Sequence, residues 1–430
     1  MQESRRSFLT KLGGATAGSL IATTFNPLMT TELKAAIKKV KNIDPKITAQ
    51  DEVFWRTVKN AYKQSSHFIN LENGYFNPQP EPVKDAFIDN VNMVNNIPSY
   101  YMRKRRAKEK LELKQKLADF AGCSAEEIVI NRNTTEALNT IVSGIKLNKG
   151  DEVVISNQDY GSMRHSFKQK EKREGIVVKE ISLPLLPDSM SEFVKAFEDA
   201  ITDKTKLLHV THMINLTGQL LPVREICDMA HKRGVEVVVD AAHSFAHIDF
   251  KIPDLHCDYL GTSLHKWLAA PMGNGLMYIK KDKIKNIWPL MAELDFGEDD
   301  IRKFEHLGTL SPANWLTISD AIDFHNNIGS KLKEERLRYL KNYWLTKVKD
   351  LPKVKVNTSL QDEQSCGIAN IGIEGIEPVG LADKLFDEYK IYTVGIKHKE
   401  YQGIRVSPNT YINTRELDLF VEGIKLIAKT

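Results

Sequence analysis

Cysteine is scarce in this sequence of 430 residues, and its spacing excludes two common kinds of site. Cys123, Cys227, Cys257 and Cys366 stand far apart, so they match neither a zinc cluster nor a disulfide scaffold. A single pair could still form a bridge. A chain of this length can bury a large hydrophobic core, with two domains expected, and therefore does not depend on disulfides for its stability.

Strong charge of either sign is also missing, because the formal net charge is only +4. One basic run, residues 103–106, is typical of the solvated face of a helix, and we expect no nucleic-acid partner. In addition, no strand-like segment is followed by Gly-x-Gly-x-x-Gly. That absence argues against an enzyme that uses a nicotinamide dinucleotide.

Residues 1–30 have the features of an export signal. Arg5 and Arg6 precede Phe8 and Leu9, and a weakly apolar, glycine-containing stretch follows over residues 12–25. This order resembles a twin-arginine signal, and the stretch is too short for a convincing membrane-spanning helix. We predict export by the twin-arginine machinery to the periplasm. The alternatives are a retained N-terminal anchor and a basic N-terminus without a targeting role.

Helices and strands alternate after a polar, helical N-terminal arm over residues 31–70. Residues 71–315 contain several nearly continuous apolar segments, as expected for strands buried on both faces of a mostly parallel sheet. Helical segments such as 107–120 and 222–233 separate them, so we predict a three-layer α/β/α large domain. A long helix over 318–349 then leads into a smaller C-terminal α+β domain, residues 316–430. The strand candidates are Glu127–Asn131, Glu152–Ser156, Gly175–Ser182, Lys206–Val210, Val235–Asp240, Tyr259–Thr262 and Gly275–Lys280.

Two polar residues follow apolar strands where an open α/β sheet presents side chains to a ligand. Asp240 ends one strand candidate and Lys266 comes just after the next. Desolvation in such a crevice lowers the pKa of an amine and favours imine formation. A carboxylate there can keep a pyridinium nitrogen protonated. Taken alone, Asp240 could equally be a helix cap and Lys266 a surface lysine.

The order of the motifs along the chain indicates a protein family more specifically than Asp240 or Lys266 does alone. Asp-x-x-His at 240–243, followed by Ser-x-His-Lys at 263–266, resembles the class V aminotransferase superfamily of fold-type I pyridoxal-phosphate enzymes. The similarity is greatest to isopenicillin-N-epimerase-like proteins, with cysteine desulfurases a step away, and it runs from about residue 71 to the C-terminus. It implies pyridoxal 5′-phosphate held by Lys266 as a Schiff base, with Asp240 and His243 as further catalytic residues.

The resemblance also assigns the other cofactor contacts. Thr134 and Thr135 match the family's phosphate-binding turn, and N–H groups at a helix start suit a phosphate. A capping box with either threonine as N-cap is the ordinary alternative. Tyr160 matches the ring that stacks on the cofactor, and Asn215 matches the partner of its phenolic oxygen. Two further phosphate contacts are implied, Ser263 and His265.

Gly308 and Thr309 resemble the family segment that reaches the phosphate of a partner subunit. The resemblance therefore implies a homodimer with shared active sites, in which Thr309 binds the cofactor of the second chain.

On the substrate side, Arg405 lies in a stretch that resembles the family's C-terminal Arg-x-Ser motif. The guanidinium group binds a carboxylate through two parallel hydrogen bonds, so Arg405 is the predicted substrate anchor. Ile412 interrupts the Tyr-Asn pair of the family motif. Near the N-terminus, Asn73, Tyr75 and Asn77 match the entry segment of the family and are predicted to line the substrate pocket.

The loop over residues 394–402 contains no cysteine. Cysteine desulfurases carry their thiol nucleophile there, and the reaction depends on it. We therefore predict an epimerase or an aminotransferase acting on an amino acid or a related amine. Desulfurase or lyase chemistry and a non-catalytic exported binding protein are the alternatives.

Overall fold

The computed structural model describes residues 30–429, so all but the last residue of the predicted export signal lies outside the described residues. Within this range no helix is long and apolar enough to cross a membrane. All four cysteines are free.

A seven-stranded sheet forms the centre of the large domain, in the order β2-β8-β7-β6-β5-β3-β4. Only β8 runs antiparallel to its neighbours, so the sheet is mostly parallel. Its strands are β2 (Ile128–Asn131), β3 (Glu152–Ser156), β4 (Val177–Ile181), β5 (Thr205–Thr211), β6 (Glu236–Asp240), β7 (Tyr259–Ser263) and β8 (Gly275–Ile279).

Helices cover both faces of this sheet, because alternate strand residues enter different hydrophobic cores. Val237 and Val239 pack in one core with Ile226, whereas Val238 packs in the other with Phe167. This alternation is the side-chain period of a β-strand. It confirms the predicted three-layer α/β architecture.

The α-helices begin with three short elements in the N-terminal arm and end with a helix at the C-terminus. A π-helical turn, Tyr101–Arg105, connects α5 to α6. The helices are α1 (Thr31–Val40), α2 (Pro45–Thr48), α3 (Glu52–Lys59), α4 (Glu81–Asn96), α5 (Pro98–Tyr100), α6 (Arg106–Ala121), α7 (Thr134–Gly144), α8 (Gly161–Glu174), α9 (Ser191–Ala200), α10 (Val223–Lys232), α11 (Pro312–Leu316), α12 (Ile318–Ile328), α13 (Ser330–Val348), α14 (Pro378–Tyr389) and α15 (Thr414–Lys429).

The C-terminal part contains an antiparallel sheet in the order β12-β13-β10-β9. A separate parallel pair, β1 with β11, joins the segment near residue 70 to this part of the chain. The strands are β1 (Ile69–Asn70), β9 (Val354–Val356), β10 (Ala369–Ile373), β11 (Ile391–Tyr392), β12 (Val394–Lys397) and β13 (Gln402–Val406).

The single long helix expected over residues 318–349 is wrong, because the structure has two helices there. Gly329 separates α12 from α13 with φ of +97° and ψ of +130°. An L-residue with a side chain rarely adopts this conformation, whereas glycine adopts it readily. The apolar periodicity continues on both sides of Gly329 and conceals the break.

The sheet places the carboxyl ends of its six strands that share one direction along one edge. Because β2, β3, β4, β5, β6 and β7 all run in the same direction, their carboxyl ends point the same way. Ligands of open α/β sheets bind outside these ends. Strands β12 and β13 of the small sheet close the space from the other side, since Val394, Ile396 and Arg405 line the same cavity.

Candidate active site

A cavity of about 520 Å³ lies at the carboxyl edge of the central sheet. It collects residues from five strand ends, from the entry segment near residue 75 and from the small sheet. Eleven of the residues singled out in the sequence line it together: Tyr75, Thr134, Thr135, Tyr160, Asn215, Asp240, His243, Ser263, His265, Lys266 and Arg405.

Lys266 lies just beyond β7, and its Nζ atom is 3.0 Å from Nε2 of His243. Burial lowers the pKa of the Lys266 amine to about 8, although the charge of Asp240 acts to raise that pKa. Arg405 contributes to the lowering. Burial also holds the pKa of His243 well below its usual range, so the imidazole beside Lys266 is neutral. Roughly a tenth of the lysine is therefore unprotonated and nucleophilic at pH 7, far more than for an ordinary lysine.

Asp240 ends β6 and is buried at the floor of the cavity. Its Oδ1 atom accepts a hydrogen bond of 2.9 Å from the backbone N–H of Ala242. Burial raises the pKa of the Asp240 carboxyl, whereas the charges of His209 and Lys266 act to lower it. A cationic ring nitrogen placed here would stabilise the ionised carboxylate.

A buried pair behind Asp240 was not found in the sequence. Nδ1 of His209 lies 2.9 Å from Oδ2 of Asp159, and Thr211 donates a hydrogen bond of 2.7 Å to the other carboxylate oxygen. Burial acts to lower the pKa of His209, but the charge and hydrogen bond of Asp159 outweigh it and the pKa is raised. The signal was the histidine inside the apolar strand β5, because a buried polar side chain requires a partner.

The start of α7 provides the donors for an anionic group. Thr134 N–H donates a hydrogen bond of 2.9 Å to Ser263 Oγ, and the two hydroxyl oxygens are 2.6 Å apart. Thr135 is exposed at the same helix end. The N-cap is Asn133, whose side chain accepts from the N–H of Glu136, so a threonine N-cap is wrong. Both threonines are therefore left to face the cavity.

Three buried polar atoms of the cavity residues have no hydrogen-bond partner within residues 30–429. They are Oδ1 of Asn215, Nδ1 of His243 and Nδ1 of His265. Burial lowers the pKa of His265 to about 4, so its ring is neutral at physiological pH. Leaving such atoms unpaired costs free energy, which a bound polar group would recover. The donor set therefore fits a flat ring that carries an anionic phosphate and several hydrogen-bonding atoms.

Arg405 reaches the cavity from β13 and is already paired. Its Nε atom donates a hydrogen bond of 3.1 Å to Glu72, and Nη2 donates to the second carboxylate oxygen of the same residue. Nη1 donates a hydrogen bond of 2.9 Å to the backbone carbonyl of Asn215. Glu72 was not singled out in the sequence. An acidic residue within an otherwise buried entry segment was the available signal.

Asn73, Asn77 and Thr309 are not among the residues that line this cavity. Both asparagines are buried in internal hydrogen bonds: Tyr411 donates to Oδ1 of Asn73, and Asn409 donates to Oδ1 of Asn77. Their predicted contact with substrate stays a prediction. Of the entry segment, the predicted residue Tyr75 lines the cavity together with Gly74 and Phe76.

The loop over residues 394–402 lies against the large domain. Oε1 of Glu400 accepts hydrogen bonds of 2.7 Å from Asn157 and 2.5 Å from Ser182. The cavity-lining residues include no cysteine. Cys366 is buried, and burial raises its pKa to about 12, so its thiol is protonated.

Comparisons with known proteins agree with this geometry. The family model described as aminotransferase class-V matches residues 78–400. The isopenicillin N epimerase of Amycolatopsis lactamdurans is 27% identical over 394 residues, covering 87% of this chain and 99% of the relative. A probable cysteine desulfurase of Methanothermobacter thermautotrophicus is also 27% identical, over 416 residues, with the same coverage.

Solved structures show the same fold at lower identity. The apo structure of the cysteine desulfurase from Thermococcus onnurineus has a TM-score of 0.74 at 23% identity, and it covers 86% of this chain and 97% of its own. The structure of a C-DES mutant with glycine covalently linked to the pyridoxal-phosphate cofactor has a TM-score of 0.77 at 18% identity. It covers 85% of this chain and 98% of its own.

The family model spans the strand ends that form the cavity, from Thr134 to Lys266, and continues into the small sheet. The match confirms the predicted enzyme class and the predicted cofactor, pyridoxal phosphate. On this evidence the chain belongs to the class V aminotransferase family.

Proposed function

We propose that the chain converts an amino acid or an amino-acid-like amine, with Lys266 as both the attachment point of the cofactor and the base of the reaction. One observation supports this most strongly. Lys266, with its pKa lowered to about 8, shares one cavity with Asp240, His243 and Arg405. An amine, a carboxylate and a guanidinium in this arrangement serve imine formation, ring protonation and substrate orientation.

When bound, pyridoxal phosphate supplies a carbonyl that reacts with amines and a ring that accepts an electron pair. Its phosphate would be held by residues at the start of α7 and after β7, namely Thr134, Ser263 and His265. Tyr160 and His243 would flank its ring, and Asn215 would contact the oxygen on that ring. Asp240 would keep a proton on the ring nitrogen.

Lys266 moves the proton. Once its amine is free, its lowered pKa lets it take the proton from the carbon next to the substrate amino group. Arg405 fixes the orientation of that carbon by holding the neighbouring carboxyl or carbonyl group. The buried His243, neutral and 3.0 Å from Nζ, leaves the lysine free to be unprotonated.

The same geometry favours an epimerase or an aminotransferase over a cysteine desulfurase. The cavity-lining residues include no cysteine, and a desulfurase requires a thiolate close to the substrate sulfur. Returning the proton to the opposite face of the carbon gives epimerisation. Returning it to the cofactor gives transamination. Transamination would use the same removal of the proton by Lys266, whereas epimerisation also requires a second acid on the opposite face of the carbon.

Two expectations from the sequence remain proposals. The twin-arginine residues Arg5 and Arg6 support export to the periplasm. A homodimer with shared active sites is supported by Thr309, which lies outside the cavity of its own chain and follows Gly308 at φ of +74°.

The decisive experiment is borohydride reduction of the purified yellow protein, followed by peptide mass spectrometry. The cofactor should be fixed on Lys266. The Lys266→Ala variant should carry no fixed cofactor and should have no turnover. A wild-type protein that is colourless after incubation with pyridoxal phosphate, or that is labelled at another lysine, would disprove the proposal.

Incubation with amino acids in deuterated water then separates the reaction types. Deuterium at the α-carbon with retained substrate indicates epimerisation, whereas a keto acid indicates transamination. Release of sulfide or sulfur from cysteine would instead support the desulfurase alternative.

A further inference from the structure

We infer that Glu72 sets the substrate selectivity of this cavity by neutralising Arg405, so that the site takes α-amino amides or esters as well as free amino acids. This inference rests on the proposed function, since it concerns the group that faces Arg405 while Lys266 reacts.

The Glu72–Arg405 pair is fixed and almost fully buried. The exposed fractions are 8% for the Arg405 side chain and 6% for that of Glu72. Oε1 of Glu72 also accepts from the N–H of Tyr75 at 3.1 Å, and Oε2 accepts from the Ser407 hydroxyl at 3.4 Å. Three N–H donors, two of Arg405 and one of Tyr75, therefore hold the carboxylate, and a substrate that displaced it would leave the Tyr75 N–H and the Glu72 carboxylate without these partners.

Gly74 fixes the position of the guanidinium. A Cβ atom at Gly74 would lie 3.0 Å from Cζ of Arg405, so a side chain at this position would crowd the guanidinium group and shift it. A guanidinium has five N–H donors. Three of them bind Glu72 and Asn215. The others remain for a substrate.

The charge of this anchor is already compensated. An unpaired arginine in a buried site prefers a carboxylate, because the ion pair is stronger than a hydrogen bond to a neutral oxygen. Here a second carboxylate would meet Glu72 as a like charge at short range. A neutral carbonyl oxygen accepts the same two N–H groups without that repulsion. The pair therefore reduces the advantage of a carboxylate over an amide or ester.

A second cavity next to Arg405 also supports amides and esters as substrates. This second cavity of about 400 Å³ is lined by both members of the pair and shares Tyr75, Phe76, Val394 and Arg405 with the first. Its further walls are Phe68, Asn70, Glu72 and Tyr392. A free carboxylate ends at Arg405. An amide or ester continues past it, and this partly aromatic cavity has room for the substituent.

The test compares L-alanine with L-alaninamide on the cofactor-loaded protein, using the change in visible absorbance to obtain an apparent Kd for each. In the wild type the two values should lie within about tenfold of each other. In Glu72→Gln, the alanine value should fall roughly tenfold while the alaninamide value stays within about twofold, since removing one charge favours only the anion.

Two further variants serve as controls. Glu377→Gln removes an exposed carboxylate that pairs with Lys397 on the same domain, and it should change neither Kd. Glu72→Asp keeps the charge, and its selectivity should stay close to that of the wild type.

A wild type that prefers alanine by more than about 100-fold would overturn the inference, and that measurement needs no variant. Equal weakening of both ligands in Glu72→Gln would show that Glu72 is only structural and would also overturn it. If no amine changes the absorbance of the wild type, the proposed function fails as well, whereas a response to alanine alone contradicts only the selectivity.

Discussion

At the residue scale, the reactivity of Lys266 is set by its surroundings more than by its position after a strand. Burial lowers the pKa of its amine, Asp240 and Glu72 act to raise it, and Arg405 acts to lower it. The balance gives a pKa of about 8, which leaves a useful fraction of the amine unprotonated near neutral pH.

This balance predicts a pH dependence for cofactor capture. Only the unprotonated amine attacks a carbonyl. The rate at which the apoprotein develops visible absorbance with pyridoxal phosphate should therefore rise with pH, with its midpoint near pH 8, and become constant about two pH units higher. Asp240→Asn removes a charge that raises the pKa, so the midpoint should move to lower pH. Stopped-flow absorbance measures both proteins.

A control variant for this experiment is Asp282→Asn, which changes an exposed aspartate outside the cavity and should leave the midpoint unchanged. A midpoint in Asp240→Asn that equals or exceeds that of the wild type would contradict the proposed electrostatic role of Asp240.

At the element scale, Gly329 offers a clean test of backbone strain. Gly329→Ala should lower the free energy of unfolding by about 1–3 kcal/mol, because its φ of +97° with ψ of +130° is costly for a residue with a side chain. No atom outside the neighbouring residues lies within 4 Å of the added Cβ, so the effect is conformational and not a clash. Chemical denaturation of the apoprotein measures it.

Gly380 provides the matched comparison within α14. It also has open space around the added Cβ and has no positive φ, so Gly380→Ala should stabilise the protein by about 0.5–1 kcal/mol. Variants that change stability in the same direction would show that backbone conformation does not explain the break between α12 and α13.

Some strands could be predicted closely from the sequence, whereas the helix break at Gly329 could not. The strands β5, β6 and β7 were predicted to within one residue at each end, because apolar segments buried on both faces are recognisable in the sequence. The break at Gly329 was missed because glycine is also tolerated inside helices.

In the site, residues at or just beyond strand ends, such as Asp240 and Lys266, could be predicted because open α/β sheets bind ligands outside the carboxyl ends of their strands. The pairing of Glu72 with Arg405 could not be predicted from the sequence, because a contact between residues so distant in the chain leaves no local pattern. His209 was missed for the same reason, since its partner Asp159 belongs to another strand end.

At the scale of the whole molecule, the proposed shared site can be tested by mixing two inactive variants. Thr309→Asp should repel the phosphate of the partner subunit, and Lys266→Ala removes the base from its own chain. A heterodimer of the two contains one site with both defects and one intact site. Unfolding and refolding the variants together should therefore restore activity that neither variant has alone.

Each variant refolded separately provides the control, together with the mass of the assembly by light scattering. Absence of recovery in a mixture that contains heterodimers would mean that each site is built from one chain. A monomeric wild type would disprove the dimer directly.

The contact between Glu72 and Arg405 joins residues 333 positions apart in the chain. During synthesis on the ribosome, the entry segment emerges early and has no cationic partner until strand β13 has also emerged. Contacts this distant in sequence form late in folding. A nascent chain therefore cannot complete its substrate pocket before nearly all of its length has been made, so truncated products lack a functional pocket even where the central sheet has folded.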